Sequence, residues 1–289
     1  MPKARLSVVI LTKNAQDRIR DCLESVKWAD EIVIVDGYSS DSTLEICKEY
    51  TNKIIQSEFK GFADERNLGI DNATGDWILQ LDADEIVTEP LREAIEKILA
   101  LSASPVKDGH QPKSTAFPDG VKYVCYKFRR KNYFLGCPMR YGGWYHYSAH
   151  FFRKGRARYE GLVHERLKFI PLDSKHLTEF TGEQGRLEAE VEHRPFDSIA
   201  QFISRQNRYT DYEAKDMLSE KGKISERQVK YNLYIKPLKL FWKLYIKKQG
   251  FRDGMLGFIF SAMNSFVHFL RWAKYWELTY GKRSEQGNM

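Results

Sequence analysis

The stretch Gly75–Glu85, GDWILQLDADE, decides the fold. Trp77, Ile78, Leu79 and Leu81 form a short, nearly continuous apolar run, as expected of a strand covered on both faces. The run ends in two carboxylates two residues apart, Asp82 and Asp84, followed by Glu85. Two upstream segments have the same form. LSVVIL (Leu6–Leu11) leads into Thr12, Lys13 and Asn14, and EIVIVD (Glu31–Asp36) leads into Gly37, Ser39 and Asp41. Between them Ile19, Cys22, Leu23 and Val26 recur at helical spacing. A second helix is predicted over Thr43–Tyr50, with Ser40, Asp41 or Ser42 as its N-cap, and KIIQSE reads as a third short strand. Glu89–Leu101 is an amphipathic helix with Pro90 in its first turn. Strands alternating with helices predict an α/β fold built on a parallel, doubly wound sheet.

Further out, residues 102–120 have no periodicity and are rich in Ser, Pro, Gly and Lys, the composition of a surface loop. Aromatic, strand-like segments return at 121–128 and 144–152, and from about Asp197 the pattern is helical. The expected organisation is a sheet domain over residues 1–196 and a helical region over 197–289. The 289 residues are 42% hydrophobic and 29% charged, enough apolar content for a buried core, which excludes wholesale disorder. Four cysteines with no CxxC pair argue against a disulfide scaffold and a zinc ribbon, and a reducing compartment is expected. The apolar start is too short for a signal-peptide core. Net charge is +7 but uneven: residues 221–289 carry 14 Lys and Arg against 4 Asp and Glu. A cationic tail on a near-neutral body points to an anionic partner, lipid headgroups or nucleic acid.

In open α/β sheets ligands bind at the carboxyl ends of the strands, and here three such ends are polar. Two carboxylates in a D-x-D turn can share one divalent cation, or one can hold metal while the other meets a ribose hydroxyl. Mg2+ and Mn2+ prefer oxygen ligands, and Mg2+ is usually completed by substrate phosphates.

Taken in order, SVVILTKN, EIVIVDGYSSDST, GFADERNLG and GDWILQLDADE resemble family 2 of the inverting glycosyltransferases, with the GT-A, Rossmann-like nucleotide-sugar fold. The later VHERL and the helical tail resemble bacterial enzymes of the lipopolysaccharide-core glucosyltransferase type. The resemblance implies a metal-dependent transfer of a hexose, glucose foremost, from a UDP-sugar to a hydroxyl of a membrane-linked glycan: lipopolysaccharide core or a polyprenyl-linked saccharide. It puts Thr12 and Asn14 at the nucleoside, with Asp36 and Gly37 at the donor and Asp36 accepting from the base. Arg66 and Asn67 would approach the diphosphate or the sugar. Asp82 would contact ribose or metal, and Asp84 would be the main ligand of Mg2+ or Mn2+. Relatives commonly carry an acidic residue where this chain has Ala15. An inverting transfer needs a base for the acceptor hydroxyl, and Glu165 in VHERL is the candidate. His164, Trp144 and His146 are the candidate acceptor or supporting residues; His146 and His150, in an aromatic strand-like segment, are not read as metal ligands.

In the tail, Lys239, Lys243 and Lys247 share one helix face, with Trp242 among the apolar residues that fill the rest. Residues 254–270 are uncharged, but Ser261, Asn264, Ser265 and His268 make a polar stripe, which favours a helix lying at an interface over a spanning one. The expectation is a cytoplasmic protein, peripheral on the inner face of the cytoplasmic membrane, that meets an anionic membrane surface and no nucleic acid. The competing readings are a nucleotidylyltransferase on a related sheet and a non-catalytic membrane-surface protein that keeps the fold.

Overall fold

The computed structural model describes residues 3–102, 121, 123–161, 166–169 and 184–281. The predicted loop at 102–120 therefore lies almost wholly outside the described residues, as do His164 and Glu165. In chain order the elements are β1 (Leu6–Thr12), α1 (Ile19–Val26), β2 (Glu31–Asp36), α2 (Thr43–Lys48), β3 (Ile54–Gln56), α3 (Phe62–Asn72), β4 (Trp77–Asp82), β5 (Glu85–Val87) and α4 (Glu89–Ser102). There follow β6 (Cys125–Phe134), β7 (Cys137–Pro138), β8 (His146–Arg153), β9 (Ala157–Glu160), β10 (Arg166–Phe169), β11 (Gly185–Phe196), α5 (Ile199–Lys221), α6 (Glu226–Trp242) and α7 (Gly254–Tyr280). The chain divides into two compact units: Met1–Arg130 with Tyr147–His193, and Lys131–His146 with Arg194–Met289.

The first unit is built on a sheet ordered β3-β2-β1-β4-β8-β6-β11-β5. β3, β2, β1 and β4 are parallel, as the alternating pattern requires. The rest is mixed: β8 pairs antiparallel with β4, and β5 pairs antiparallel with β11. Only Ala83 and Asp84 separate β4 from β5, far too few for the crossover that parallel neighbours need, and β5 pairs with β11 rather than folding back on β4. The aromatic strands read from sequence thus extend the same sheet.

Both faces of the parallel half are covered, and the alternation along each strand shows how. Leu6, Val8 and Ile10 of β1 and Ile32 and Ile34 of β2 pack with Ile19, Leu23 and Val26 of α1 and Leu91, Ile95 and Leu99 of α4. Val9, Leu11, Val33 and Val35 face the other way, against Ala63 and Ile70 of α3. Burying each of these side chains is worth about 1.5–3 kcal/mol, so the strand tips are held by a rigid double layer. α3 lies directly on the sheet because Gly69 allows it: a Cβ there would sit 2.3 Å from Cγ1 of Val9.

In the second unit α7 packs against α5 and α6. Phe134, Met139, Phe196, Phe202 and Phe260 form one cluster, and Ala214, Val229, Trp272 and Tyr275 another. α5 is capped by Ser198, whose hydroxyl accepts from the Gln201 N–H. After α6 the chain continues through a π-helical turn, Lys243–Lys247, and a 3-10 turn, Gly250–Asp253. Among the described residues, no helix is long and apolar enough to cross a membrane. All four cysteines are free thiols.

Candidate active site

β1 lies between β2 and β4, with Thr12 opposite Asp36 and Leu11 opposite Asp82. Two interstrand spacings therefore separate the tips bearing Asp36 and Asp82, about 10 Å. The turns after β1 and β2 are laced together. Asn14, in the left-handed region at φ 49°, accepts from the Ser40 N–H at 2.8 Å and donates its own N–H to Ser39 Oγ at 2.8 Å. The Ala15 N–H donates to Thr43 Oγ1 at 2.8 Å, so this loop is closed by backbone and hydroxyl contacts where an acidic side chain is lacking. Asp36 is fully buried and accepts from the Ser39 N–H and hydroxyl and, at 3.3 Å, from Gln56. Beside it the Thr12 hydroxyl is buried with no hydrogen-bond partner. Gly37 faces the Lys13 side chain, whose Cδ would lie 3.1 Å from a Cβ at that position.

Glu65 on α3 is the second buried carboxyl here, and its Oε1 has no hydrogen-bond partner. Burial pushes its pKa up to about 7 against the pull of Lys13 and Arg66, with Asp36 adding to the rise. Between the ordinary glutamate value and about 7 the folded state keeps a proton that the unfolded chain has lost. Stability must therefore fall as pH rises through that window, by on the order of 3 kcal/mol. Glu65→Gln should remove this fall. Urea midpoints at about pH 5 and about pH 8 should diverge for the parent chain and much less for the variant; equal pH slopes would show that Glu65 is not the group responsible.

A charge cluster fills the tip of β4. Asp82 Oδ1 meets Arg66 of α3 at 2.9 Å, and its Oδ2 meets Arg130 of β6 at 2.9 Å. Burial raises the Asp82 pKa, but Arg66 and then Arg130 outweigh it and hold the carboxyl well below the usual range. Arg130 also pairs through Nε with Glu85 at 2.6 Å, while Glu85 accepts the Asp82 N–H at 2.9 Å. The Glu85 side chain is only 2% exposed, and burial drives its pKa up despite Arg130. Asp84 lies between these groups in sequence but faces His193 of β11, with Nε2 3.4 Å from its carboxylate. Beneath the cluster Cys22 donates to the Asp82 carbonyl, and burial pushes its thiol far up, so it is no nucleophile.

Asn67 spends its amide on the backbone of Tyr159, donating to the carbonyl at 2.8 Å and accepting from the N–H at 3.0 Å. It fastens α3 to β9, while the Arg66 guanidinium lies 5.3 Å over the Tyr159 ring. His150 contacts Tyr159 and Ser148 through its two ring nitrogens. In the second unit Trp144 stacks on Phe260 with centroids 4.6 Å apart, and His146 bonds the Trp144 carbonyl. Also in that unit, Lys239 donates to Tyr231, and Trp242 is 55% exposed.

Glu65, Arg130 and His193 were not picked out from the sequence, and Glu85 only as one of the polar residues at the end of β4, without a role. His193 had a readable signal: it falls on the inward phase of the alternation along β11, in register with buried Leu187, Ala189 and Val191. Arg130 had the same kind of signal, since of the adjacent cations in FRRKNYF it is the one in phase with buried Phe128, Asn132 and Phe134 along β6.

The carboxylates at this tip differ in how far they are committed, which bears on whether they could hold a cation. Both Asp82 oxygens are taken by guanidinium groups and Glu85 is committed to Arg130, which leaves Asp84 and His193 as the oxygen and nitrogen donors best disposed. Among the described residues no group of three or more His, Cys, Asp or Glu could hold a metal. Two protein donors suit a cation whose remaining positions are filled by substrate oxygens, which fits Mn2+ or Mg2+ carried with a diphosphate.

The model of Glycosyl transferase family 2 matches residues 7–156. Over 96% of its length the chain is 26% identical to the lipopolysaccharide core biosynthesis glycosyltransferase LpsC of Rhizobium meliloti, covering 94% of that protein. It is also 26% identical to an uncharacterized glycosyltransferase of Rickettsia typhi, over 97% of this chain and 89% of the relative. Among solved structures, a mannosyltransferase from Pyrobaculum calidifontis in complex with GDP-Man and Mn2+ aligns over 95% of this chain and 88% of its own, at 13% identity and TM-score 0.46.

Proposed function

The chain belongs to glycosyl transferase family 2, and from that premise we propose an inverting transfer of a hexose, glucose foremost, from a UDP-sugar to a hydroxyl of a membrane-linked glycan such as lipopolysaccharide core. The observation that carries this reading is the convergence at adjacent strand tips of buried Asp36, the Asp82–Arg66–Arg130–Glu85 cluster and the Asp84–His193 pair. Asp36, held rigid by Ser39 and Gln56, accepts from the base, and the unsatisfied Thr12 hydroxyl beside it is available to the nucleoside. Arg66 and Arg130 are the cations at this tip, where a diphosphate would lie. Asp84 and His193 would hold the divalent cation. When bound, that cation supplies Lewis-acid stabilisation to the departing nucleoside diphosphate. Glu165 takes the proton from the acceptor hydroxyl as it attacks the anomeric carbon from the face opposite the leaving group. The lipopolysaccharide-core relative supports the acceptor class, and a membrane-linked acceptor would bring the protein to the inner face of the cytoplasmic membrane.

The experiment is a screen of UDP-, GDP- and ADP-hexoses with Mn2+ or Mg2+, following release of nucleoside diphosphate with and without a truncated core glycan. One UDP-hexose should be turned over, chelation should abolish the reaction, and the product anomer should be inverted. Glu165→Gln should slow transfer by about a hundredfold or more with donor binding unchanged. Retention of configuration, or full rate in the variant, would overturn this mechanism. A nucleotidylyltransferase would release pyrophosphate from a sugar phosphate and a nucleoside triphosphate, and no nucleoside diphosphate.

A further inference from the structure

We infer that the α6–α7 hairpin seats this protein on an anionic lipid surface through an exposed apolar face bordered by lysines. The inference extends the proposed function, which places the acceptor at a bilayer. It stands on the second unit alone, so it can fail without the transfer reading failing.

Besides Phe260, Trp272 and Tyr275, α7 buries two polar side chains and leaves large apolar ones outside. Ser261 and Ser265 are buried, and their hydroxyls turn back onto the carbonyls of Gly257 and Ser261 at 2.7 and 2.8 Å. Met255, Phe258, Phe266, Phe269 and Trp276 are exposed, Met255 by 72%. Their spacing of three, eight, three and seven residues keeps all five on one face of the helix. α6 does the same: Tyr231, Tyr234, Ile235, Leu238 and Trp242 recur at helical spacing, and Leu238 is 69% exposed. The two stripes meet where Phe258 packs edge-on against Phe241 and Tyr245, each 5.7 Å away between centroids. A contiguous apolar surface of this kind on a folded unit marks an interaction site.

The tip of the hairpin is fixed rather than loose. A Cβ on Gly257 would lie 1.8 Å from the Gly250 carbonyl oxygen, so only glycine lets the turn close. Gly142 donates its N–H to the Lys248 carbonyl at 2.9 Å, and Tyr141 donates its N–H to Asp253 at 2.9 Å.

Charge selects the occupant. From Tyr234 to Phe258 the chain carries six Lys and Arg and one acid, Asp253, which is committed to backbone N–H groups. Lys239, Lys243 and Lys247 flank the apolar stripe. Two such tips would repel one another, which disfavours a second copy. The centre of the face is aliphatic and aromatic, which a phosphate backbone alone would not cover. Anionic headgroups match the lysines, and the acyl boundary matches Leu238, Trp242 and Met255.

The test is co-sedimentation of the full chain with phosphatidylcholine vesicles, with or without phosphatidylglycerol, beside light scattering and duplex DNA binding. The double variant Leu238→Asp, Met255→Asp changes only exposed positions, and its melting curve reports whether the fold is kept. Binding to the anionic vesicles, weakened by salt and reduced at least about tenfold in the folded double variant, is expected. Vesicle binding unchanged by the substitutions would overturn the inference. So would absence of vesicle binding, whether the face then proves to hold a second copy, to bind DNA or to stay bare.

Discussion

Asp84→Asn is expected to lower kcat/KM on the order of a thousandfold, the scale of losing a charge stabiliser of the leaving group. The substitution keeps the shape of the side chain and removes its charge. Asp82 cannot take over, because each of its oxygens already meets a guanidinium at 2.9 Å. Glu85 is held by Arg130 and by the Asp82 N–H. The reaction should therefore lose its response to Mn2+ along with its rate, while a melting curve should show the fold kept, since asparagine preserves the side-chain shape beside His193. His193→Ala should weaken the metal response in the same direction. A variant that kept its rate and its Mn2+ dependence would remove Asp84 from the site.

Arg130→Met is expected to cost about 3–5 kcal/mol of folding stability at neutral pH, the scale of breaking a buried ion pair by removing one partner. Methionine fills most of the volume, so the loss is electrostatic. Glu85, 2% exposed in its side chain, would face Asp82 with no cation between them. The pKa of Glu85 is already raised, and without Arg130 it must rise further. A raised folded value means stability that is present below the unfolded pKa and lost as pH climbs through the folded one. The deficit of the variant should therefore shrink on acidification toward about pH 4. Adding Glu85→Gln should recover much of the loss at neutral pH, which a double-mutant cycle in urea would measure. A deficit below about 1 kcal/mol, or none recovered by Glu85→Gln, would mean that water already screens the cluster.

The parallel half of the sheet was legible because its strands are buried on both faces. Between their ends LSVVIL, EIVIVD and DWILQLD are apolar except for Ser7 and Gln80, both of which are buried, and the turns that follow are polar. α3 was harder to read. Its inward side carries Ala63, Glu65, Arg66 and Gly69, so the helix that builds the site has no apolar stripe to announce it. Of the antiparallel half, β6 and β8 were legible as strands but not as a place in the sheet, and β5 and β11 were not read as strands; their pairing joins residues about a hundred positions apart in sequence. Asp36, Asp82 and Asp84 could be found because strand ends in such sheets are where ligands bind. Arg130 and His193 reach the same cluster from distant strands, and only three-dimensional closure brings them there. In the tail the polar stripe of α7 was visible, but which side faced outward was not. The serines turned inward because their hydroxyls satisfy themselves on the preceding helical turn.

The most direct test is a structure of the protein with UDP and Mn2+, in which anomalous scattering locates the metal without reference to the protein model. The account predicts one Mn2+ peak bonded to Asp84 and His193 and to the diphosphate, with uracil against Asp36. A peak elsewhere, or a nucleotide lying away from the tips of β1, β2 and β4, would contradict it.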